Sequence, residues 1–183
     1  NYSVTVADTN LNVASLPGVF SQKELDVGTK LLLENLPNNL TGSILDFGCG
    51  AGVIASFIGL NTRSKNKLTL ADLSALALYS AEKTLSLNNL SGEFVATNSL
   101  SNVTGKYDVV VSNPPFHKGI KTHYLATETF LSTVKRHMSS AAHLFVVANS
   151  FLKYQPIIDA SIAKSQILAK RNGFTIYQAI VRK

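Results

Sequence analysis

Apolar residues recur at every second position at the start of the chain and at every third or fourth soon after. The alternation between these two periods lays out the elements. Residues 2–6 and 11–14 read as short strands around the turn-forming Asp8, Thr9 and Asn10, so a hairpin opens the chain. Ser21 and Glu24 then form an S-x-x-E capping box ahead of Leu25, Leu32 and Leu36 on one helical face, and Pro37, Asn38 and Asn39 stop that helix. From Ser43 onwards buried-type strands alternate with amphipathic helices: a strand over 44–47, a helix over about 51–60, a strand over 67–71 and a helix opening at Ser74. The rhythm continues in strands over 93–96 and 107–112, a helix carrying Phe130, Leu131, Val134 and Met138, and a strand over 144–148. Residues 167–170 and 174–181 flank Arg171, Asn172 and Gly173, which predicts an antiparallel hairpin finishing an otherwise parallel sheet. The predicted fold is a doubly wound α/β sheet in one domain, with 1–40 as a hairpin-plus-helix extension and 41–183 as the core.

Composition narrows the setting. A chain of 183 residues, 45% of them hydrophobic, can build one sizeable core but not two ordinary domains. Cys49 is the single cysteine and no Cys/His cluster has zinc spacing, so neither an internal disulfide nor a metal is expected, and the redox setting reads as cytoplasmic. No apolar run approaches the roughly 18 residues that span a bilayer, and no signal peptide is legible, so a membrane partner is not expected. The net charge of +6 suits a protein that approaches phosphates, although many basic domains never touch nucleic acid.

Two strand ends carry candidate chemistry. The strand over 44–47 runs into Asp46, Phe47, Gly48, Cys49, Gly50, Ala51 and Gly52, a turn in which glycines let bare backbone approach a ligand at a helix N-terminus. Such glycines also serve a tight turn with no ligand. Their G-x-G-x-G spacing puts Val53 where a dinucleotide fingerprint has its third glycine, so NAD is disfavoured. Asp46 would repel a pyrophosphate and attract the ammonium of a methionyl moiety. Asp72, ending the next strand, is placed to accept two hydrogen bonds from ribose hydroxyls. Leu73 is a candidate cover for an adenine face, and Asn98, after the third strand, a candidate for the adenine amino group. Cys49 reads as a small packing residue.

The strand over 107–112 delivers Asn113, Pro114, Pro115, Phe116 and His117 to its carboxyl end, where ligands bind in such sheets. Two prolines remove two backbone donors, so the loop presents acceptors: the Asn113 side-chain oxygen and the Pro114 carbonyl. A planar amino group, whose lone pair is delocalised into its ring, needs acceptors to hold it against an electrophilic methyl. Phe116 offers a flat surface for a base turned out of its stack. The reading is a methyltransferase using S-adenosylmethionine on an exocyclic amino group of a nucleobase, with Asn113 to Phe116 at the reaction centre.

These residues, together with the segments LPGVFS (16–21), LDVG (25–28), DFGCGAG (46–52), LADLS (70–74), SNPPFH (112–117) and VANSFL (147–152), resemble the bacterial ribosomal RNA guanine-N2 methyltransferases over nearly the whole chain. Within them the chain looks like the catalytic C-terminal half of the enzymes that modify 16S rRNA. The resemblance implies a Rossmann-like class I methyltransferase fold and transfer of methyl from S-adenosylmethionine to guanine N2 in 16S rRNA of the 30S subunit. It puts Asp46, Gly48 and Gly50 at the methionyl end, Asp72 at the ribose, Asn98 at the adenine, and Asn113 beside both cofactor and base. Phe20, Phe116, His117 and Lys118 would contact the substrate. Lys121, His123, Arg136, Lys153 and Arg171 are further candidates for phosphate contact. It also implies an N-terminal partner domain beyond Asn1; separately from the resemblance, a monomer is expected. Alternatives that share the Asn-Pro-Pro-aromatic loop are 23S rRNA guanine-N2, DNA adenine-N6 and protein-glutamine methyltransferases. A degenerate, non-catalytic RNA-binding relative is a further one.

Overall fold

The structure, a computed structural model, describes residues 1–20, 23–62, 65–114 and 121–182, with backbone alone at 121–123. β1 (Tyr2–Val6) and β2 (Thr9–Val13) pair antiparallel, from Tyr2 opposite Val13 to Val6 opposite Thr9. The turn between them is Ala7 and Asp8, with φ of 44° and 63°, a two-residue connection whose twist matches that of the strands. This corrects the turn expected at Asp8 to Asn10: Thr9 and Asn10 already pair within β2.

Helix α1 (Val27–Asn35) starts later than the capping-box reading placed it. Its N-cap is Asp26, whose side chain accepts the Thr29 N–H at 2.8 Å. Ser21 lies outside the described residues, so the Ser21–Glu24 box does too.

Seven further strands form one sheet in the order β5-β4-β3-β6-β7-β9-β8. They are β3 (Ser43–Phe47), β4 (Lys67–Asp72), β5 (Glu93–Ala96), β6 (Tyr107–Ser112), β7 (Met138–Asn149), β8 (Ser165–Arg171) and β9 (Phe174–Ile180). β3 to β7 run parallel, and β9 runs antiparallel to both β7 and β8. The strand order reverses between β3 and β6, the Rossmann-like switch point at which carboxyl-end loops diverge and leave a crevice.

Side-chain alternation along each strand feeds two cores. Ile44, Val109, Val111, Phe145 and Val147 face the hairpin, α1, α2 (Val53–Leu60) and α3 (Ala75–Leu87). Leu45, Val110, Leu144 and Val146 face α4 (Lys121–Thr133) and α5 (Gln155–Ser161). The helix expected to carry Met138 ends at Thr133, a 3₁₀ turn covers Val134–His137, and Met138 opens β7; its side chain still enters the same core. α5, with Pro156 in its first turn, has no counterpart in the sequence reading.

The hairpin is clipped to α3 by polar contacts. Asn88 accepts the Asn12 N–H at 3.0 Å and donates to the Asn12 carbonyl at 2.7 Å, and Thr84 Oγ1 accepts the Ala14 N–H at 3.0 Å.

Candidate active site

A cavity of about 440 Å³ opens at the carboxyl edge of the sheet between β3, β4 and β6. On one side stands the glycine loop after β3. Gly48 and Cys49 donate their N–H groups to the Ala71 carbonyl at 2.8 and 3.1 Å, so the end of β4 holds the loop. Gly48 and Gly50 line the cavity with φ of 71° and 52°, and a Cβ on either would meet nothing within 4 Å. That open backbone is a cradle which side chains would fill, and it fits a ligand pressed against main chain. Gly52 serves packing, because a Cβ there would lie 3.0 Å from the Ala81 Cβ.

Asp46 departs from expectation. It does not line the cavity and is wholly buried, with Oδ2 accepting the Ala55 N–H of α2 at 3.0 Å; Oδ1 has no hydrogen-bond partner among the described residues. The alternation that turns Ile44 towards α2 turns Asp46 the same way. Asp46 is thus a carboxyl under the helix N-terminus, and the direct cofactor contact expected of it is not part of the cavity wall. Burial pushes its pKa up to about 7, the Ala55 N–H opposes that, and the nearby charge of Asp72 adds to it. Cys49, nearly buried beside both carboxyls, has its thiol pKa raised well above the usual value by burial first and by Asp46 and Asp72 next, so it stays protonated at neutral pH.

Asp72 does line the cavity, and both its oxygens are engaged: Oδ2 accepts the Gly50 N–H and Oδ1 the Ser74 N–H, each at 2.9 Å. It therefore braces the glycine loop, and each oxygen keeps a second lone pair for a hydroxyl. Leu73, 74% exposed, and Asn98 stand in the same wall.

Opposite the glycine loop, β6 ends in Ser112, whose hydroxyl donates to the Phe47 carbonyl at 2.7 Å and ties the two strand ends together. Asn113 and Pro114 follow and line the cavity. The Asn113 amide nitrogen donates to Asp26 Oδ2 at 3.0 Å and to Thr29 Oγ1 at 2.8 Å. The Thr29 hydroxyl in turn donates to Asp26 Oδ2 at 3.2 Å. In the sequence Asp26 stands out only as part of LDVG, and Thr29 not at all. The signal available was a short acceptor and a hydroxyl three apart at a helix start, which says nothing about Asn113. Gly28 permits the contact: a Cβ there would come within 2.9 Å of Val147 and Phe174, so α1 sits hard against the sheet.

Phe47 and Phe130 stack at 4.3 Å and 4° within the cavity lining, and Phe20, 59% exposed, stands at its rim. Pro115, Phe116, His117 and Lys118 lie outside the described residues, as do the side chains of Lys121 and His123. Of the remaining candidate cations, Arg171 ion-pairs with Glu34 and Lys153 follows the carboxyl end of β7. Arg136 precedes β7, at the opposite edge of the sheet from the cavity, which removes it from a shared surface with them. Among the described residues no group of His, Cys, Asp or Glu is placed to hold a metal, and no helix is long and apolar enough to cross a membrane.

Residues 10–178 match the Methyltransferase small domain family. The chain is 54% identical over 178 residues to the ribosomal RNA small subunit methyltransferase C of Colwellia psychrerythraea, covering 97% of this chain and 50% of that protein. It is 48% identical to the protein of the same name from Pseudoalteromonas translucida, covering 97% and 52%. The chain thus spans about half the length of the curated relatives it matches. Among solved structures, the T. thermophilus 16S rRNA N2 methyltransferase RsmC in complex with AdoMet and guanosine superposes with a TM-score of 0.87 at 25% identity, over 99% of this chain and 50% of that one. A Pyrococcus furiosus methyltransferase superposes with a TM-score of 0.73 at 16% identity, covering 94% and 90%, a likeness of fold.

Proposed function

We propose, because this chain belongs to the Methyltransferase small domain family, that it transfers the methyl group of S-adenosylmethionine to the exocyclic N2 of a guanine in 16S rRNA of the small ribosomal subunit. Its fold is the Rossmann-like class I methyltransferase fold. The observation that carries the reading is that one cavity holds both an open glycine cradle and an acceptor-bearing Asn113 facing it across the switch point.

The bound cofactor supplies an electrophilic methyl; everything else is positioning by the chain. Gly48 and Gly50 give backbone contact to its methionyl end, Asp72 has lone pairs to spare for ribose hydroxyls, and Leu73 and Asn98 flank the adenine. Asn113 Oδ1 and the Pro114 carbonyl accept the two N–H groups of the guanine amine, which aims its nitrogen across the cavity. Phe20 at the rim offers a face on which the base rests, and Phe116, His117 and Lys118, outside the described residues, are assigned to the substrate by their motif alone. Orientation of two bound reactants then removes most of the barrier, and the extra proton leaves the methylated amine to water. The comparison with the T. thermophilus protein, which holds AdoMet and guanosine, supports this assignment. We take 1–183 as one catalytic domain, monomeric, which works with an N-terminal domain in a longer protein.

A tritiated methyl-transfer assay on 30S subunits, 50S subunits, naked rRNA, DNA and release factor, followed by nucleoside analysis, tests the reading. Label in N2-methylguanosine from small-subunit RNA is expected. Label confined to 23S rRNA, N6-methyladenine or a glutamine amide would replace it, and no binding of S-adenosylmethionine in calorimetry would indicate a degenerate relative.

A further inference from the structure

We infer that Asp26 and Thr29 are positioning residues that fix the side chain of Asn113 as an obligate hydrogen-bond acceptor, so that the substrate atom it meets must carry an N–H. The inference rests on the proposed methyl transfer and deepens it.

The direction of each hydrogen bond follows from donor bookkeeping. A carboxylate only accepts, so Asp26 Oδ2 at 3.0 Å must face the amide nitrogen of Asn113 and not its oxygen. The Thr29 hydroxyl has one hydrogen and directs it to Asp26 Oδ2 at 3.2 Å, so towards Asn113 at 2.8 Å it can only accept. Both hydrogens of the Asn113 amide are thereby used on the α1 side. Flipping the amide would set its oxygen against a carboxylate and leave its nitrogen facing the cavity, which loses two hydrogen bonds and adds a repulsion. An amide otherwise ambiguous in orientation has its oxygen assigned by this network. Donation to a negative group also polarises the amide and strengthens the carbonyl as an acceptor.

The same carboxyl oxygen caps α1 by accepting the Thr29 N–H at 2.8 Å, so the start of the helix and the set of the reaction centre are one structure. The consequence is selectivity by polarity. A planar amino group satisfies the fixed oxygen. A carbonyl or ring-nitrogen acceptor presented at that point would meet a lone pair and be rejected, which a freely rotating asparagine would not enforce.

The test combines kinetics with a spectroscopic readout. Thr29→Val keeps the shape of the side chain and removes the acceptor, and Asp26→Asn keeps a helix cap and removes the acceptor-only constraint. Each is expected to lower kcat roughly 10- to 100-fold with KM for S-adenosylmethionine within about twofold, and Thr29→Ser to recover most of the rate. In nitrogen-15 spectra of the free protein, both Asn113 side-chain amide protons should be protected from exchange. Thr29→Val should release one and Asp26→Asn should alter the other, while Thr29→Ser retains both. Unprotected amide protons in wild type, or near-wild-type kcat in both Thr29→Val and Asp26→Asn, would overturn the inference. A wild-type protein that shows the protected pair but methylates no amino-bearing base would defeat the proposed function and leave the assigned orientation standing.

Discussion

The two walls of the cavity are held by different means. The glycine loop is organised within its own strand-turn-helix unit and by the next strand: Ala55 onto Asp46 nine residues away, and Gly50 onto Asp72 twenty-two away. Asn113 is held by Asp26 and Thr29, 87 and 84 residues distant, on a helix outside the parallel core. Where a ligand meets backbone, local turns suffice. Where one amide must point one way, a second layer from elsewhere in the chain sets it, and damage to that layer should spare cofactor binding.

Removing the acceptor should have the largest effect. Asn113→Ala should lower kcat on the order of a thousandfold with cofactor affinity nearly unchanged, measured by single-turnover kinetics and calorimetry; a matching fall in affinity would merge the two walls into one. Gly50→Ala should do the converse, since it forces a Cβ onto a backbone at φ 52° and into the cradle. Cofactor Kd should rise about 10- to 100-fold, with kcat at saturation close to wild type. Gly28→Ala probes the support of the Asn113 wall: its Cβ would meet Val147 and Phe174 at 2.9 Å and lift α1. A several-fold loss of kcat, roughly 3- to 10-fold, with unchanged cofactor Kd is expected, and a change in Kd alone would contradict the division of labour.

The smallest effect is a pH dependence from the buried carboxyl behind the glycine loop. Asp46 titrates at about 7 in the fold and near 3.9 unfolded. A raised carboxyl contributes its stability in full below the unfolded value and loses it as pH climbs through the folded one. Thermal melts from about pH 4 to 8 should therefore show a decline in wild type that is shallower in Asp46→Asn. Parallel curves for the two proteins would mean that Asp46 is not a buried titrating group.

Much of the fold was legible because its signals are local. The glycine loop, β5 and β6 fell where alternation and turn residues put them, and Ser74 caps α3 as read. Other elements were less so. Met138 continues the helical spacing of Phe130, Leu131 and Val134 yet opens a strand, because both periods send it into the same core. α5 has a proline in its first turn and few buried positions, which leaves little pattern to read. Asp46, expected at the methionyl end of the cofactor, lies under α2: strand parity puts it on the same side of β3 as Ile44, and only the packing of α2 buries that side.

By itself the sequence determined the alternation of strand and helix, the glycine cradle after β3 and the acceptor-rich loop after β6, since each depends on backbone preferences within a few residues. Only the tertiary structure decided which way Asp46 faces, that Asp72 braces the loop as well as lining the cavity, and that α1 takes both hydrogens of Asn113. Those outcomes come from packing between segments far apart in the chain, and a carboxylate, a hydroxyl and an amide have no mutual direction until the fold brings them within hydrogen-bonding distance.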